Sequence, residues 1–180
     1  EIACTAGLPE PPAGIDALAQ FEGTTMCLSL TRKNRPTPRL WTAMVVEARI
    51  RHVHGEKVDQ MLDILTLVLR PHFSQLTFVH GVDVFTEKTL LEVINETLEK
   101  FPQVALEMNV DPKGYPKRDM FVRFRESEHA FLSRWLEHLG LFYYFKQQTS
   151  GDTLVIGDAT EHYGTLEHNS EVNYVSGGET

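Results

Sequence analysis

Residues 52–56 read His-Val-His-Gly-Glu, and they come nearest in this chain to a metal site. Two imidazoles two positions apart on a strand share one face, and Glu56 follows closely enough to offer a third ligand. His52, His54 and Glu56 could hold zinc and activate water for hydrolysis. Gly55 and the polar residues after it predict a turn instead, where exposed histidines are ordinary, and no second His/Cys cluster has matching spacing. Asp158 to His162, DATEH, invites the same reading, and a solvated loop explains it better. Glu126 and Glu128 form a carboxylate pair, but glycosidase chemistry needs a set separation, and a helix start accounts for both. Cys4 and Cys27 have no identifiable base partner; they fit buried thiols in a reducing compartment, with no disulfide framework. A GxSxG elbow, a P-loop and a GxGxxG turn are all absent from the sequence. The expectation is a protein that is not an enzyme and uses no metal or cofactor.

The totals narrow the partners. Seventeen basic residues against 25 acidic leave a net charge of −8, which disfavours a nucleic-acid binder. The clusters Arg32-Lys33-Asn34-Arg35 and Lys117-Arg118 lie beside prolines and read as solvated loops. No apolar run approaches the ~20 residues of a membrane-spanning helix. At 180 residues the chain can form one sizeable domain or two small ones. Ile2-Ala3-Cys4 already has strand character after an initial Glu, so the chain is expected to begin inside a longer protein.

The elements that would position such residues can be read in order. Residues 1–6 suit a short strand, Leu8 to Gly14 a proline-rich loop, and Ile15 to Phe21 a short helix with Leu18 and Phe21 on one side. Met26 to Thr31 alternates as a strand, and Arg32 to Arg39 reads as an exposed loop containing Pro36 and Pro38. Leu40 to Ile50 predicts a long strand with Leu40, Met44, Val46, Ala48 and Ile50 on one face; His52 to Gln60 predicts a turn. Met61 to Leu69 predicts a strand apolar on both faces except at Asp63 and Thr66, which implies cover from another domain or subunit.

Thr89 and Glu92 have the spacing of a capping box, and Leu90, Ile94, Thr97, Leu98 and Phe101 line one helical face. Asn109 to Arg118 is turn-rich; Met120, Val122 and Phe124 then alternate with Phe121, Arg123 and Arg125 as a half-buried strand. Ser127 and Glu128 suit the start of a second helix whose face is Phe131, Leu132, Trp135, Leu136 and Leu139, with Gly140 at its left-handed end. Leu141 to Phe145 predicts a strand covered on both faces, its second face by another part of the assembly, and a hairpin leads to Thr153–Ile156. Beyond Asp158 a loose tail is expected, with one last short strand at Val172 to Val175.

One stretch also resembles a known family. An acidic residue and Ser open a helix (Glu126, Ser127), Phe-Leu-x-Arg follows (Phe131, Leu132, Arg134), and Glu-x-x-Gly ends it (Glu137, Gly140). A Tyr-Tyr-Phe strand comes next (Tyr143, Tyr144, Phe145), then Leu-Val-x-x-Asp after a hairpin (Leu154, Val155, Asp158). This pattern resembles the hub region of the valine-glycine-repeat (VgrG) spike proteins of type VI secretion. Those are similar to the late control D and baseplate-hub proteins of contractile-tailed phages. Leu40 to Arg49, Leu67-Val68-Leu69-Arg70-Pro71, Val84-Phe85 with Thr89 to Leu98, and Tyr115-Pro116-Lys117-Arg118 match the same family in the same order. Trp41, Thr42 and Ala43 depart from it, standing where the family shows an aromatic-histidine pair and a glycine.

The resemblance implies an α+β chain: a mainly antiparallel β-barrel hub domain with an inserted helix-hairpin α+β subdomain. It would divide the chain into barrel strands at 1–85, the insertion at 86–160 and a linker toward a second barrel at 161–180. The matched residues would be structural rather than catalytic. The longer parent would be a homotrimer that joins a sixfold tube protein to a threefold spike and carries effectors. It would assemble in the bacterial cytoplasm and leave through the contractile apparatus. A phage baseplate hub, a small metal-assisted hydrolase and an adaptor module are the alternatives.

Overall fold

A strand of 20 residues, β3 (Arg35–His54), is the spine of a four-stranded antiparallel sheet in the order β1–β2–β3–β4. Its neighbours are β1 (Ile2–Ala6), β2 (Thr25–Arg32) and β4 (Met61–Arg70). The computed structural model describes residues 2–6, 20–32, 35–54 and 61–163. The expected loop at 8–14, the helix at 15–19 and the strand at 172–175 lie outside the described residues; Phe21 sits in a turn ahead of β2.

Two predicted loops are strand instead. Arg32 pairs with Arg35, so β3 begins where an exposed loop was expected. Pro36 and Pro38 are tolerated because β4 pairs with β3 only from Met44 onward, which leaves one side of that stretch without a ladder to break. At its far end β3 continues through His54, paired with Met61, where a turn was expected from His52. A third correction concerns phase. A bulge between Val45 and Glu47 sets extra β3 backbone against β4, so strict alternation from Leu40 to Ile50 fails. Val45 and Ala48, three apart, are buried together with Phe21, and Met26, Leu65, Leu67 and Leu69 pack around them. The opposite face of β4 leaves Ile64 exposed.

After Pro71 the chain builds a second layer. A 3-10 helix (His72–Phe78) leads into β5 (His80–Lys88), which pairs antiparallel with β7 (Arg118–Ser127). Two helices, α1 (Leu90–Leu98) and α2 (Glu128–His138), join a three-stranded sheet of order β6–β9–β8. There β6 (Ala105–Asn109) runs parallel to β9 (Gly151–Gly157), and β8 (Phe142–Gln148) runs antiparallel to it. The architecture is therefore a mixed α+β fold of mainly antiparallel strands. The expected division at residue 85 falls inside β5, whose pairing partner and core contacts all come later in the chain or from Phe73 and Leu76.

Local signals account for both helices. Thr89 accepts from the Glu92 amide at 3.2 Å, and the Glu92 carboxylate accepts from the Thr89 amide at 2.7 Å. Hydrogen bonding from Thr89, first from its backbone amide and then from its side chain, holds the exposed Glu92 carboxyl below its usual range. The predicted face Leu90, Ile94, Thr97, Leu98 and Phe101 is buried throughout. Ser127 caps α2 by accepting from the Ala130 amide at 3.1 Å, and Gly140 ends the helix at φ +74°. Phe131, Leu132 and Leu136 are buried in one core with Phe73, Phe121 and Leu154. Among the described residues no helix is long and apolar enough to cross a membrane.

Candidate functional site

The β5–β7 ribbon has one face turned to the core and one turned to solvent. Both strands alternate: Val82, Val84 and Thr86 against Asp83 and Phe85, and Met120, Val122 and Phe124 against Phe121 and Arg123. Register puts Val82 opposite Phe124, Val84 opposite Val122 and Thr86 opposite Met120. Phe85 and Phe121 are buried, whereas Val82, Val84, Met120 and Phe124 are each 56–63% exposed. Phe78 and Val79, just ahead of β5, are exposed as well. Single exposed apolar residues need no explanation, but a contiguous patch marks a surface that other protein covers.

Arg123 decides which face goes in. Only 5% exposed, it contacts Asp83 across the ribbon and lies 3.3 Å from Glu128 at the start of α2. Lys100 reaches the same Glu128 oxygen at 3.0 Å. Gly81 gives the guanidinium room, since a Cβ there would lie 3.0 Å from Arg123 Nη2. Glu128 is thus more than a charge at a helix start; it is 1% exposed and part of a buried ion cluster. Breaking such a pair strands a charge in low dielectric, so the cluster holds β7 in one orientation.

The residues that carry the family pattern occupy framework positions. Arg134 binds Glu126 at 2.6 Å and donates to the Val122 carbonyl at 3.2 Å, tying α2 to the outer edge of β7. Phe131 stacks on Phe85 with ring centroids 5.8 Å apart, and Leu132 is buried beside it. Glu137 is exposed, and its carbonyl accepts from the Gly140 amide at 3.2 Å. Tyr143 and Phe145 face Phe73 and the core, where Leu154 is buried. The chain itself covers part of the other face of β8, where Phe142 and Tyr144 are half-buried. Phe142 stacks on Tyr163 at 4.0 Å, and the Tyr144 hydroxyl donates to the His162 carbonyl at 3.2 Å. Asp158 accepts from the Tyr115 hydroxyl and the Asp111 amide, each at 3.2 Å. Burial first, and the Asp158 bond and charge next, push the Tyr115 hydroxyl up to about 12.

The remaining chemical candidates disperse. Residues 158–162 border an open groove of about 700 Å³, where His162 Nδ1 lies 3.1 Å from Asp158 Oδ1. Among the described residues no three His, Cys, Asp or Glu side chains are placed to hold a metal. The backbone of His52 and His54 belongs to β3, but their side chains and all of Glu56 lie outside the described residues. Glu126 and Glu128 are each engaged in separate ion pairs. Cys27 is a half-buried free thiol. Sequence reading matched Val84 to the family pattern but marked neither Val82 nor Val84 as exposed. Their signal was present, since both strands of the ribbon alternate with large apolar residues on each face.

A family model described as phage tail baseplate hub (GPD) matches residues 2–180. The chain is similar to the type VI secretion system spike protein VgrG1b of Pseudomonas aeruginosa, 28% identical over 110 residues, covering 61% of this chain and 14% of that protein. It is similar also to spike protein VgrG5 of the same organism, 28% identical over 101 residues, covering 55% of this chain and 13% of that protein. The matched part is therefore a small share of either relative's length. A solved structure shares the fold at a TM-score of 0.66 and 14% identity, over 87% of this chain and 41% of that one. It is the E. coli c3393 protein, described as a type VI secretion component with structural similarity to the T4 bacteriophage tail proteins gp27 and gp5.

Proposed function

The chain belongs to the phage tail baseplate hub family, and from that premise we propose that it is a hub unit of a type VI secretion spike. The observation that carries this reading is the outward face of β5 and β7. Val82, Val84, Met120 and Phe124 on it are more than half exposed, while its inner face is fixed by the Arg123–Glu128 cluster. A spike hub needs large complementary surfaces on a stiff support and no reacting group. In this reading the four-stranded sheet contributes to a barrel whose further strands pair at its open edges. The elements from His72 to Thr160 are the α+β subdomain inserted into it, and residues 161–180 lead toward a second barrel.

The full-length parent, in the same reading, is a homotrimer that joins a sixfold tube to a threefold spike and delivers effectors. It assembles in the bacterial cytoplasm before it is expelled. Glu126, Ser127, Phe131, Leu132, Arg134, Glu137, Gly140, Tyr143, Tyr144, Phe145, Leu154 and Asp158 hold the framework and take no part in chemistry. A phage baseplate hub is the second reading, favoured by the description of the matching family. Valine-glycine-rich repeats downstream in the parent would favour the secretion spike.

The test uses Val84→Glu and Phe124→Glu in a full-length parent. Both charges should prevent trimer formation in light scattering, while the melting of this 180-residue chain moves little, because the sites are already exposed. Trimers that persist with both substitutions would overturn the role given to this face. The chain by itself should remain short of a ring, and a stable trimer at micromolar concentration would contradict that. Stoichiometric zinc in the purified chain would instead favour the hydrolase built on His52, His54 and Glu56.

A further inference from the structure

Two apolar cores lie among the described residues, and they share no side chain. One gathers Phe21, Val45 and Ala48 in the four-stranded sheet; the other gathers Phe73, Phe121, Phe131 and their neighbours in the α+β layer. Polar contacts cross between them. Thr25 of β2 places its Oγ1 2.8 Å from His72 Nε2. His72 is 5% exposed; its Nδ1 meets the carboxylate of Asp152 on β9, and its backbone amide donates to that carboxylate, 3.1 Å from Oδ2. Alongside, the amide of buried Thr42 on β3 donates to Gln147 Oε1 at 2.8 Å, and its hydroxyl donates to the Gln148 carbonyl at the end of β8.

A hydroxyl, an imidazole and a carboxylate in this order also make a nucleophile relay. Here the parts belong to three separate elements, Thr25 is fixed in the β2–β3 ladder opposite Met44, and the carboxylate is taken twice by one residue. That is the build of a tie. Apolar contact is non-directional and tolerates sliding, whereas a hydrogen bond weakens steeply when its angle changes. Directed bonds at such a joint, of which His72–Asp152 is buried and Thr25–His72 partly so, restrict that sliding.

We propose that Thr25, His72 and Asp152 form an orientation lock between the sheet and the α+β layer. It fixes the angle at which the two layers meet and makes them unfold as one unit. His72 is well placed for this, since it follows directly on β4 and Pro71, where the chain passes from one layer to the other. The inference rests on this geometry alone and stands whether or not the chain is a hub.

The two tryptophans provide the test, because Trp41 lies on β3 and Trp135 on α2, one in each layer. Trp135→Phe leaves a chain whose fluorescence reports the sheet, and Trp41→Phe leaves one that reports the α+β layer. The two melting midpoints should coincide in the otherwise unaltered chain. Thr25→Val removes the lock's own bond across the layers and leaves those of Thr42, so it should drop the sheet's midpoint ~3 °C or more below the other. Asp152→Asn should separate the midpoints as well. Midpoints that differ before the lock is touched, or that still coincide in both variants, would overturn the proposal. So would an Asp152→Asn shift confined to Trp135 with no response to Thr25→Val, since the pair would then brace one layer only. If Asp152→Asn fails to fold, spin labels at Thr66→Cys and Glu99→Cys, with Cys4→Ser and Cys27→Ser, decide through Thr25→Val. A broadened distance distribution supports the lock, and an unchanged one refutes it.

Discussion

The α+β layer and the four-stranded sheet bury their side chains in different ways. In the layer, two helices and two sheets close around Phe73, Phe121, Phe131, Leu136 and Leu154, each at most 1% exposed. In the sheet, Val45 is sealed beside Phe21 and Ala48, while Leu65, Leu67 and Leu69 are only partly covered. Hydrophobic stabilisation scales with apolar area removed from water, so the layer supplies most of it to this chain. Among the described residues the sheet's core is the smaller and less sealed of the two.

Four tests sharpen or break that contrast. Phe131→Ala should cost about 3–5 kcal/mol in urea unfolding followed at Trp135, because it hollows the closed core. Val45→Ala should cost clearly less; equal losses would mean that the sheet core matters as much. Arg123→Met should cost about 3–5 kcal/mol by stranding Glu128 with Lys100 as its remaining partner, and Arg123→Met with Glu128→Leu should recover most of it. A double variant no better than the single would show that packing, not charge, sets the loss.

Gly157→Ala should cost about 1–3 kcal/mol, since a Cβ there would lie 2.7 Å from Phe142 Cζ and 2.9 Å from His162 Cβ. Calorimetry on the purified variant measures it. The smallest effect at neutral pH belongs to Tyr115, which keeps its proton to about 12 when folded against 10.0 when free. The folded state then holds more protons between those values, so this contribution is complete below pH 10 and is lost as pH rises toward 12. Tyr115→Phe should flatten the alkaline stability profile, and an unchanged slope would remove Tyr115 from the account.

Local rules were legible in the sequence, and long-range pairings were not. Thr89 with Glu92, Ser127 at the start of α2 and Gly140 at its end were readable because each acts within a single turn. The apolar faces of both helices were readable because a helix repeats every 3.6 residues wherever it packs. The ribbon was harder. Its two alternating sets look equally suited to burial, and Arg123 goes inward because Asp83, 40 residues away, and Glu128 meet it there.

By itself, then, the sequence determined where the two helices start and stop, several of the strands and the family pattern they follow, but not β5 or β6. Those features depend on backbone sterics, capping and side-chain period, all of which act between near neighbours. The tertiary structure alone decided that a bulge sets Val45 and Ala48 in one core, that Val82 and Phe124 face outward, and that Asp152 meets His72 across 80 residues. Each of these is a choice between arrangements of similar local energy. Only the partner that arrives from a distant part of the chain separates them.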